Sequence, residues 1–577
     1  MAGVFFDDTA FNMTLALELT IFHKVFAALA EEMGIVLRRS AFSPNIKERR
    51  DYSCAIFTPA GELLAQAAHI PVHLGALPAT MARILPDFPL APGDVLLLND
   101  PYWGGTHLPD ITLIAPVYLD DNGCGGRARE SETPRPLSNI PSRFPFPWST
   151  GIMPLLGRAP SSPTSSEPAF YLANRAHHAD VGGRTPGSMP LARDLREEGV
   201  IIPPTYLYRG GVRQEEVWRG LLGQMRVPEE REGDLAAQLA ALSRGEERCQ
   251  AVARRYGLEK LRKMSQALLA YSEAAMRALI RALPDGVYSF TDYLDDDGWG
   301  NQDLEVHLDL TIAGDRVHLD FTRSADQTEG GVNAVPPVVE AACYYVFLTL
   351  LAEDYPINQG CFRPLKVQTR EGSLLNARFP APVAAGNVET SQRLVDVVLG
   401  ALAQALPGLI PAASQGTMNN LAFGGVHPDT GREFTYYETL GGGTGGHPGG
   451  PGISGIHSHM TNTRNTPIEV LEHDYPVLVE RYAFRENSGG AGRHPGGLGL
   501  MRDFRFLTEV SVSLLTERRR HAPYGLAGGG PGGRGENLLI TLKGEEKLPG
   551  KVNLTLPANC VLSVRTPGGG GWGEKEG

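Results

Sequence analysis

The sequence predicts an α+β protein with several lobes, in which β-rich sheets accompany a long N-terminal helix and a central helical pair. Apolar residues recur at helical spacing near the N-terminus and again in the middle of the chain. Elsewhere short apolar runs and alternating segments predict strands, and the last third is dense in glycine. With 577 residues, 42% of them hydrophobic, the chain is too long for one compact core. These observations together predict a mixed fold built from more than one lobe.

The first lobe is predicted to be an α/β unit that covers residues 1–227. Apolar positions at helical spacing over residues 14–39 predict a long opening helix. The runs at 55–57 and 95–98, each bounded by Gly, Pro or Asp, predict strands of a mixed sheet. Between about 117 and 168 the composition shifts to Pro, Ser, Gly and Arg, so that stretch is predicted to be a loop or disordered insertion.

Helical periodicity returns over residues 228–285, which predicts a helical pair that links two lobes. The last lobe, residues 286–577, is predicted to be β-rich. It opens with alternating apolar residues at 304–312 and 317–321 around a turn at 313–315, the pattern of a β-hairpin.

Glycine runs can expose backbone N–H groups to an anion, but they more often form tight turns. The runs here are at 441–446, 489–492, 528–530 and 568–571.

Composition excludes several classes of function. A formal net charge of -12 with scattered Lys and Arg argues against nucleic acid as a partner. The chain begins without the basic start and apolar run of a signal peptide and contains no apolar stretch long enough for a bilayer, so a cytoplasmic location is predicted. No phosphate-loop or dinucleotide motif is present, which predicts no cofactor site for a nucleotide. The six cysteines lack paired spacing and are interpreted as reduced, with Cys54 a buried structural residue.

The sequence pattern that most suggests a reactive site is His107 followed three residues later by Asp110. Gly and Pro in this segment prevent a helix there. An imidazole and a carboxylate so placed can converge on one cation, although structural hydrogen-bonded pairs show the same spacing. His177, and Asp51 just before a strand, would complete a set that suits Zn²⁺, Mn²⁺ or Fe²⁺ and can activate water against a carbonyl. The residues alone leave open that Asp51 pairs with a nearby arginine and that His177 packs in a core.

Long blocks of the sequence, in the same order, resemble the hydantoinase B/oxoprolinase family. These blocks are residues 38–51, 68–75, 99–110, 174–180, 386–393, 459–467, 489–492 and 566–571. The family includes the B subunits of N-methylhydantoinase and 5-oxoprolinase, caprolactamase and a subunit of acetone carboxylase. The chain departs from the family pattern at one point, since Asp110 and His177 are 67 positions apart, farther than is usual. A longer loop between two strands adds little to the entropic cost of bringing the strands together, so the site can still form.

The resemblance implies a hydrolase that opens small cyclic amides such as hydantoins, 5-oxoproline or lactams. A hydantoinase A-type subunit would use ATP to phosphorylate the carbonyl oxygen, in a hetero-oligomer, and metal-activated water on this chain would open the activated ring. The implied metal ligands, for zinc, manganese or iron, are Asp51, His107, Asp110 and His177. Candidates for proton transfer or oxyanion stabilisation are His69, His73, His178 and His457, and His178 could instead hold a neighbouring ligand. Candidates for substrate binding are Asn387, Asn462 and Arg464.

Two other functions remain open at this point. A ketone carboxylase subunit of the acetone carboxylase type would use the same metal residues, but that subunit is longer than this chain. A non-catalytic scaffold for the ATP-binding subunit would be expected to lack at least one ligand, whereas all four residue types are present.

Overall fold

The computed structural model describes residues 13–67, 70–119, 167–351 and 355–575. The helices are α1 (Met13–Ser40), α2 (Pro44–Lys47), α3 (His73–Ile84), α4 (Leu195–Glu198), α5 (Glu215–Leu222), α6 (Pro228–Tyr256), α7 (Leu258–Arg281), α8 (Pro336–Thr349), α9 (Gln359–Phe362), α10 (Ser391–Ala405) and α11 (Ile468–Asp474). Short 3₁₀ turns lie at Pro101–Trp103 and Pro186–Ser188, and a π-helical turn lies at Gly386–Thr390.

The strands are β1 (Tyr52–Phe57), β2 (Leu63–Ala67), β3 (Val95–Leu98), β4 (Asp110–Val117), β5 (Phe170–His177), β6 (Thr205–Arg209), β7 (Val212–Arg213), β8 (Gly286–Asp296), β9 (Gln302–Ala313), β10 (Arg316–Asp320), β11 (Leu365–Gln368), β12 (Asn420–Val426), β13 (Glu433–Glu438), β14 (Val477–Arg485), β15 (Gly499–Phe506), β16 (Val510–Leu515), β17 (Glu536–Thr541), β18 (Gly544–Leu548), β19 (Lys551–Leu556) and β20 (Val561–Arg565). The mixture of helices and sheets confirms the predicted α+β class.

Helix α1 forms because its apolar residues follow the helical period and share one face. The buried members of that face include Leu19, Phe22, Phe26, Leu29 and Met33. The helix packs against α6 and against β1 and β2. Helices α6 and α7 follow each other with only Gly257 between them, whose φ of 80° ends the first helix. The long opening helix and the central helical pair are thus confirmed.

A seven-stranded sheet, in the order β2-β1-β5-β4-β3-β6-β7, carries the N-terminal site residues. Its neighbouring strands are all antiparallel. Strands β1, β3, β4 and β5 are buried along their whole length, which explains why the sequence shows continuous apolar runs at two of them. Helix α6 packs on one face, where Gln238 bonds to Asn174 of β5. Helix α3 packs on the other face, where Thr80 bonds to Arg175 of β5.

The predicted insertion connects β4 with β5. The two strands pair from Asp110 opposite His177 to Val117 opposite Phe170, with no shift of register. Residues 120–166 of the predicted insertion at 117–168 lie outside the described residues. The two site residues are therefore direct cross-strand neighbours, whatever the length of chain that joins their strands.

Among the described residues, three further sheets follow. Strands β11-β10-β9-β8 form one, β13-β12-β16-β19 the second and β14-β15-β20-β17-β18 the third. The predicted hairpin is β9 with β10, where Ala313 pairs with Arg316 across a two-residue turn. Gly314 in that turn has a φ of 61°, a conformation that glycine adopts without steric cost.

The glycine runs at 441–446 and 568–571 do not form the turns that their composition predicts. None of these glycines has a positive φ. A Cβ atom on Gly569 would lie 1.9 Å from the carbonyl oxygen of Thr444, and the Gly569 N–H donates to the carbonyl oxygen of Gly497 at 3.0 Å. The runs are glycine because extended backbone segments pack directly on one another and leave no room for side chains.

The buried apolar side chains of the described residues form two clusters. The larger runs from Leu19 to Leu515 and includes residues from each of the three predicted lobes. The smaller lies between Leu421 and Val564. The predicted lobe boundaries after residues 227 and 285 stay a prediction. No helix in the described part of the chain combines the length and the apolar character needed to cross a membrane.

The described cysteines are free and buried: Cys54, Cys249, Cys343, Cys361 and Cys560. Burial raises the pKa of the Cys54 thiol, so the sulfur stays protonated and unreactive near neutral pH. This agrees with the structural role predicted for Cys54. Cys124 lies outside the described residues.

Candidate metal centre

Three strand ends of the seven-stranded sheet bring the predicted ligands together. Asp51 precedes β1, His177 ends β5 and Asp110 begins β4, in the spatial order β1-β5-β4. The His177 N–H donates to the backbone oxygen of Asp51 at 3.0 Å, and His177 pairs with Asp110 across the sheet. His107 approaches from the turn just before β4, where the Asp110 N–H donates to the His107 carbonyl oxygen at 3.1 Å. Local backbone bonds thus fix all four residues relative to one another.

Three ligand atoms meet at one point. The Asp110 Oδ1 atom lies 3.1 Å from His107 Nε2 and 3.3 Å from His177 Nδ1, and the two nitrogens are 3.2 Å apart. Among the described His, Cys, Asp and Glu residues, these three form a group whose ligand atoms are close enough to hold one metal ion. Ligands bound at about 2.0–2.1 Å in a tetrahedral site lie about 3.3 Å from one another. The spacing therefore fits a single divalent cation at the centre.

The donor set also fits a cation chemically. The two imidazole nitrogens lie 3.2 Å apart beside Asp110 Oδ1. If neither nitrogen carries a hydrogen, three lone pairs meet in a buried space, where unpaired polar atoms are costly. Asp110 Oδ1 is buried and has no hydrogen-bond partner among the described residues. A bound cation satisfies all three atoms at once.

The pKa shifts favour the protonation states that a metal requires. Burial alone would raise the pKa of Asp110, but the imidazoles of His107 and His73 hold it well below its usual range. Burial lowers the pKa of His177, and the nearby carboxylates of Asp110 and Asp51 offset part of that effect. Near neutral pH the Asp110 carboxylate is thus ionised and the His177 imidazole is neutral, as metal ligands must be.

The second oxygen of Asp110 is held by residues that the sequence did not single out for this role. Thr106 Oγ1 donates to Asp110 Oδ2 at 2.5 Å, and His73 Nε2 lies 3.3 Å from the same oxygen. His73 is fixed in turn, because its Nδ1 lies 3.0 Å from Ser53 Oγ. These contacts turn Oδ1 toward the two imidazoles.

A small cavity opens beside this group. Its lining is Asp51, Ile70, Val72, His73, Asp110, His177, Asn387, Val388, Met418, Tyr437, Thr439, Met460, Thr461 and Thr463. Asp51 thus faces the same cavity, although its carboxylate is not part of the close group of three. Its Oδ2 atom lies 3.8 Å from Nη2 of Arg49. The pairing with a neighbouring arginine that the sequence left open is therefore present, together with access to the cavity.

The two adjacent histidines at the end of β5 point in different directions, since β5 ends at His177 and His178 follows it. His177 faces the cavity, whereas His178 faces α6, where its Nε2 lies 2.9 Å from Gln238 Oε1. Burial lowers the pKa of His178 to about 4, so this ring is neutral near pH 7. His178 is not among the residues that line the cavity, and its predicted part in catalysis stays a prediction.

Of the other predicted residues that the structure describes, only some line the cavity. His69 lies outside the described residues. His457 is not among the cavity-lining residues, and burial together with Arg49 lowers its pKa to about 4. Asn387 lines the cavity, whereas the side chains of Asn462 and Arg464 are exposed and do not. Their predicted substrate contacts stay a prediction.

The last third of the chain supplies a wall that no local pattern could reveal. The Tyr437 ring stacks on His177 with centroids 4.7 Å apart and planes 12° from parallel. The Arg49 guanidinium lies 4.8 Å from the centre of the Tyr437 ring and donates to the Tyr437 carbonyl oxygen at 2.9 Å. Tyr437 lies 260 residues after His177 in the sequence, so only the fold brings the two rings together.

Asn99 anchors the segment that carries His107. Its Nδ2 atom donates to the carbonyl oxygens of Leu108 at 2.8 Å and Val200 at 2.9 Å, and its Oδ1 accepts from the Ile202 N–H at 2.7 Å. The Asn99 side chain is fully buried, so each of these contacts replaces one that water would otherwise make.

Replacing Asn99 by leucine is expected to lower the free energy of unfolding by about 3 kcal/mol or more, because it leaves three backbone groups unpaired. The midpoint of urea denaturation measures this loss. Asn462→Ala is the matched control, since the Asn462 side chain is exposed, and a change within about 0.5 kcal/mol is expected for it. Equal midpoints for the two variants would contradict the anchoring role of Asn99.

Comparison with known proteins gives a family match over most of the chain. The sequence model described as hydantoinase B/oxoprolinase matches residues 16–128 and 150–575. The chain is 39% identical over 598 residues to 5-oxoprolinase 1 of Arabidopsis thaliana, which covers 98% of this chain and 42% of that protein. It is 30% identical over 568 residues to a Pseudomonas sp. (strain NS671) protein provisionally named as the B subunit of a D-/L-hydantoinase, covering 95% of this chain and 88% of the relative. The chain thus spans less than half of the Arabidopsis protein.

Two solved structures have a similar fold. The ATP-dependent caprolactamase from Pseudomonas jessenii matches with a TM-score of 0.84 and 27% identity, covering 98% of this chain and 92% of that one. An acetone carboxylase in its nucleotide-free form matches with a TM-score of 0.82 and 15% identity, covering 97% of this chain and 76% of that one. At the lower identity the likeness shows the fold alone.

Proposed function

The chain belongs to the hydantoinase B/oxoprolinase family, and from this premise we propose that it is the ring-opening subunit of an ATP-dependent cyclic-amide hydrolase. Relatives named as a 5-oxoprolinase and as the B subunit of a hydantoinase, and the structural likeness to an ATP-dependent caprolactamase, support a cyclic amide as the substrate. An A-type subunit that binds ATP is the proposed partner, in a hetero-oligomer. The substrate it delivers is a ring whose carbonyl oxygen has been phosphorylated.

One observation carries the proposal: His107 Nε2, Asp110 Oδ1 and His177 Nδ1 lie within 3.1–3.3 Å of one another, and Asp110 and His177 line a cavity. We propose that these three residues, with Asp51 as the fourth, hold a zinc, manganese or iron ion. Such a cation supplies Lewis-acid activation of water and of a carbonyl group. An amide carbonyl is a poor electrophile because the ring nitrogen donates electrons into it, so both forms of activation help.

The protein residues have distinct parts in the proposed mechanism. Thr106 and His73 hold Asp110 Oδ2, so that the other oxygen keeps its place in the ligand set. The Asp51 carboxylate faces the cavity, where it can complete the ligand set as the fourth donor. The apolar side chains of the cavity lining, among them Val388 and Met460, exclude bulk water from the reacting bond.

Replacing His73 by alanine is expected to weaken binding of Zn²⁺ by about 10- to 100-fold, because Asp110 loses a contact that orients it. Equilibrium competition with a chromogenic chelator measures this affinity. The comparison variant is His178→Gln, whose ring contacts Gln238 and not the cavity, and its affinity is expected to stay within about threefold of the parent chain. A larger loss in the His178 variant than in the His73 variant would reverse the proposed roles.

The proposed activity is tested with the chain co-purified with an A-type subunit. ATP-dependent opening of 5-oxoproline, hydantoin or a lactam is expected, with ADP and the ring-opened acid released in equal amounts. Omission of either subunit or of ATP is expected to abolish the reaction. Consumption of a ketone that requires both ATP and bicarbonate, with no ring opened, would favour the carboxylase function instead.

A further inference from the structure

We propose that the outer face of helix α1 binds a second copy of this chain, through an antiparallel pairing of the two α1 helices. Four exposed apolar residues form this face, which we call the outer stripe: Leu17, Ile21, Ala28 and Ile35. The three large side chains, in that order, are 63%, 41% and 43% exposed. The outer stripe contains none of the proposed metal ligands, so this pairing is independent of the proposed function.

The outer stripe is a second apolar face on a helix that already buries one. Successive residues of an α-helix are about 100° apart, so the four side chains lie within about 20° of a line along the helix through Ala28. Over residues 17–35 this line is about 27 Å long. The other apolar face of α1 packs against α6, α7, β1 and β2. Apolar residues scattered singly are normal on a protein surface, but a contiguous apolar stripe marks a binding surface.

The outer stripe is complementary to itself when the second helix runs in the opposite direction. A two-fold axis at Ala28 brings the two Ala28 residues together, and their small side chains let the helices approach closely. The same axis places Ile21 of each copy opposite Ile35 of the other. Leu17 then lies opposite the exposed Arg39 of the other copy, whose hydrocarbon chain can cover it. Every large apolar side chain of the stripe thus gains a contact.

The charges beside the outer stripe favour the antiparallel direction. Lys24 and Glu31 are exposed and lie on the same flank of the stripe. In the antiparallel pair, Lys24 of each copy lies beside Glu31 of the other, so two opposite-charge pairs form across the contact. A parallel pair would place each residue level with its own counterpart and separate these charges by about 10 Å along the axis. Charge complementarity therefore indicates a second copy in the reversed direction.

The size of the surface sets the expected affinity. The outer stripe covers about five helical turns, and Phe42, which is 51% exposed, extends the apolar surface just beyond α1. A contact of this kind lies at the lower end of specific interfaces, which bury about 1,200 Å² in total. We therefore expect a dissociation constant of about 1–10 µM, so that the dimer dissociates on dilution.

Sedimentation equilibrium on the full chain tests the pairing. The mass is expected to change reversibly with concentration between 62.2 kDa and twice that value. Ile35→Glu is expected to weaken the dimer by about 100-fold or more, because each dimer would bury two carboxylates against Ile21. Ile453→Glu is the matched control, since Ile453 is 60% exposed and lies outside α1, and its dissociation constant is expected to stay within about twofold of the parent value. Circular dichroism checks that both variants are folded.

Charge reversal tests the contact between Lys24 and Glu31. Lys24→Glu and Glu31→Lys are each expected to weaken the dimer by about 3- to 10-fold, because each creates two like-charge contacts. The double variant exchanges the two charges and is expected to return within about threefold of the parent value. Additive weakening in the double variant would show that these two side chains do not meet.

Cysteine cross-linking tests the direction of the helices, in a chain whose Cys124 is replaced by serine. The other cysteines are buried. Ala28→Cys is expected to form a disulfide-linked dimer on mild oxidation, because the two residues meet at the two-fold axis. Ile21→Cys lies on the same stripe, but its two copies would be about 21 Å apart, so no link is expected. Efficient linking through both positions would indicate a parallel pair and contradict the proposed arrangement.

The remaining outcomes decide which partner covers the outer stripe. A chain that stays monomeric at every concentration up to about 100 µM, or a dimer that Ile35→Glu leaves unchanged, would overturn the proposal. If Ile35→Glu instead releases an A-type subunit from a chain that is otherwise monomeric, the stripe binds that subunit and the second copy is ruled out. Loss of ring opening in the parent chain would bear on the proposed function and leave the measured pairing unaffected.

Discussion

Replacing His107 by alanine is expected to abolish both stoichiometric metal binding and ring opening while leaving the fold intact. His107 Nε2 is one of three atoms that converge within 3.1–3.3 Å, and alanine offers no ligand in its place. The loss of metal affinity should exceed the roughly 10- to 100-fold typical of residues that only orient a ligand. The side chain is buried in a turn, so far-ultraviolet circular dichroism must accompany the metal analysis.

His473→Ala is the control for the His107 variant. His473 is an exposed histidine in α11, outside the cavity lining, so its removal tests for unspecific binding of metal to imidazole. It should keep one metal ion per chain and full activity. If His107→Ala retained one equivalent of metal after dialysis, while remaining folded, the proposed site would be wrong.

Replacing Gly569 by alanine is expected to prevent folding or to lower the free energy of unfolding by about 4 kcal/mol or more, the range of severe packing defects. The new Cβ would lie 1.9 Å from the Thr444 carbonyl oxygen and 2.2 Å from its carbonyl carbon, which are backbone atoms without a rotamer to escape into. The Gly569 carbonyl oxygen accepts from the Gly490 N–H at 2.8 Å, so a shift would also break backbone bonds. Soluble yield and the thermal midpoint measure the effect.

Gly220→Ala is the matched control for this substitution. Gly220 lies inside α5, and a Cβ there would meet nothing within 4 Å. Alanine should therefore stabilise this helix by about 0.5–1 kcal/mol, the usual difference between the two residues in a helix. A Gly569 variant as stable as the Gly220 variant would contradict the close backbone packing of the glycine runs.

The helices and the N-terminal strands could be predicted because their signals are local. The apolar period of α1 and the pair α6 and α7 appear within one window of sequence, and so does the hairpin of β9 and β10. His107 and Asp110 also belong to one short segment. Three of the four predicted ligands lie together in the structure, although the sequence separates Asp110 from His177 by 67 positions.

The rest of the site depends on register and on contacts between distant segments. That His177 and not His178 faces the cavity follows from the pairing of β4 with β5, which the sequence does not state. Tyr437 and the threonine wall come from the last third of the chain. The prediction of turns was wrong for the glycine runs at 441–446 and 568–571, because a glycine-rich composition does not distinguish a turn from extended segments packed too closely for side chains. In the run 528–530, Gly528 does lie in a turn, with a φ of 90°.

Anomalous diffraction from crystals of the Zn²⁺-loaded chain, measured at the zinc absorption edge, tests the metal centre most directly. We expect one strong peak at about 2.0–2.2 Å from His107 Nε2, His177 Nδ1 and Asp110 Oδ1. Asp51 would complete the set if its carboxylate turns toward the ion. Full zinc loading with the peak elsewhere, or no retained zinc in a folded chain, would contradict the proposed metal centre.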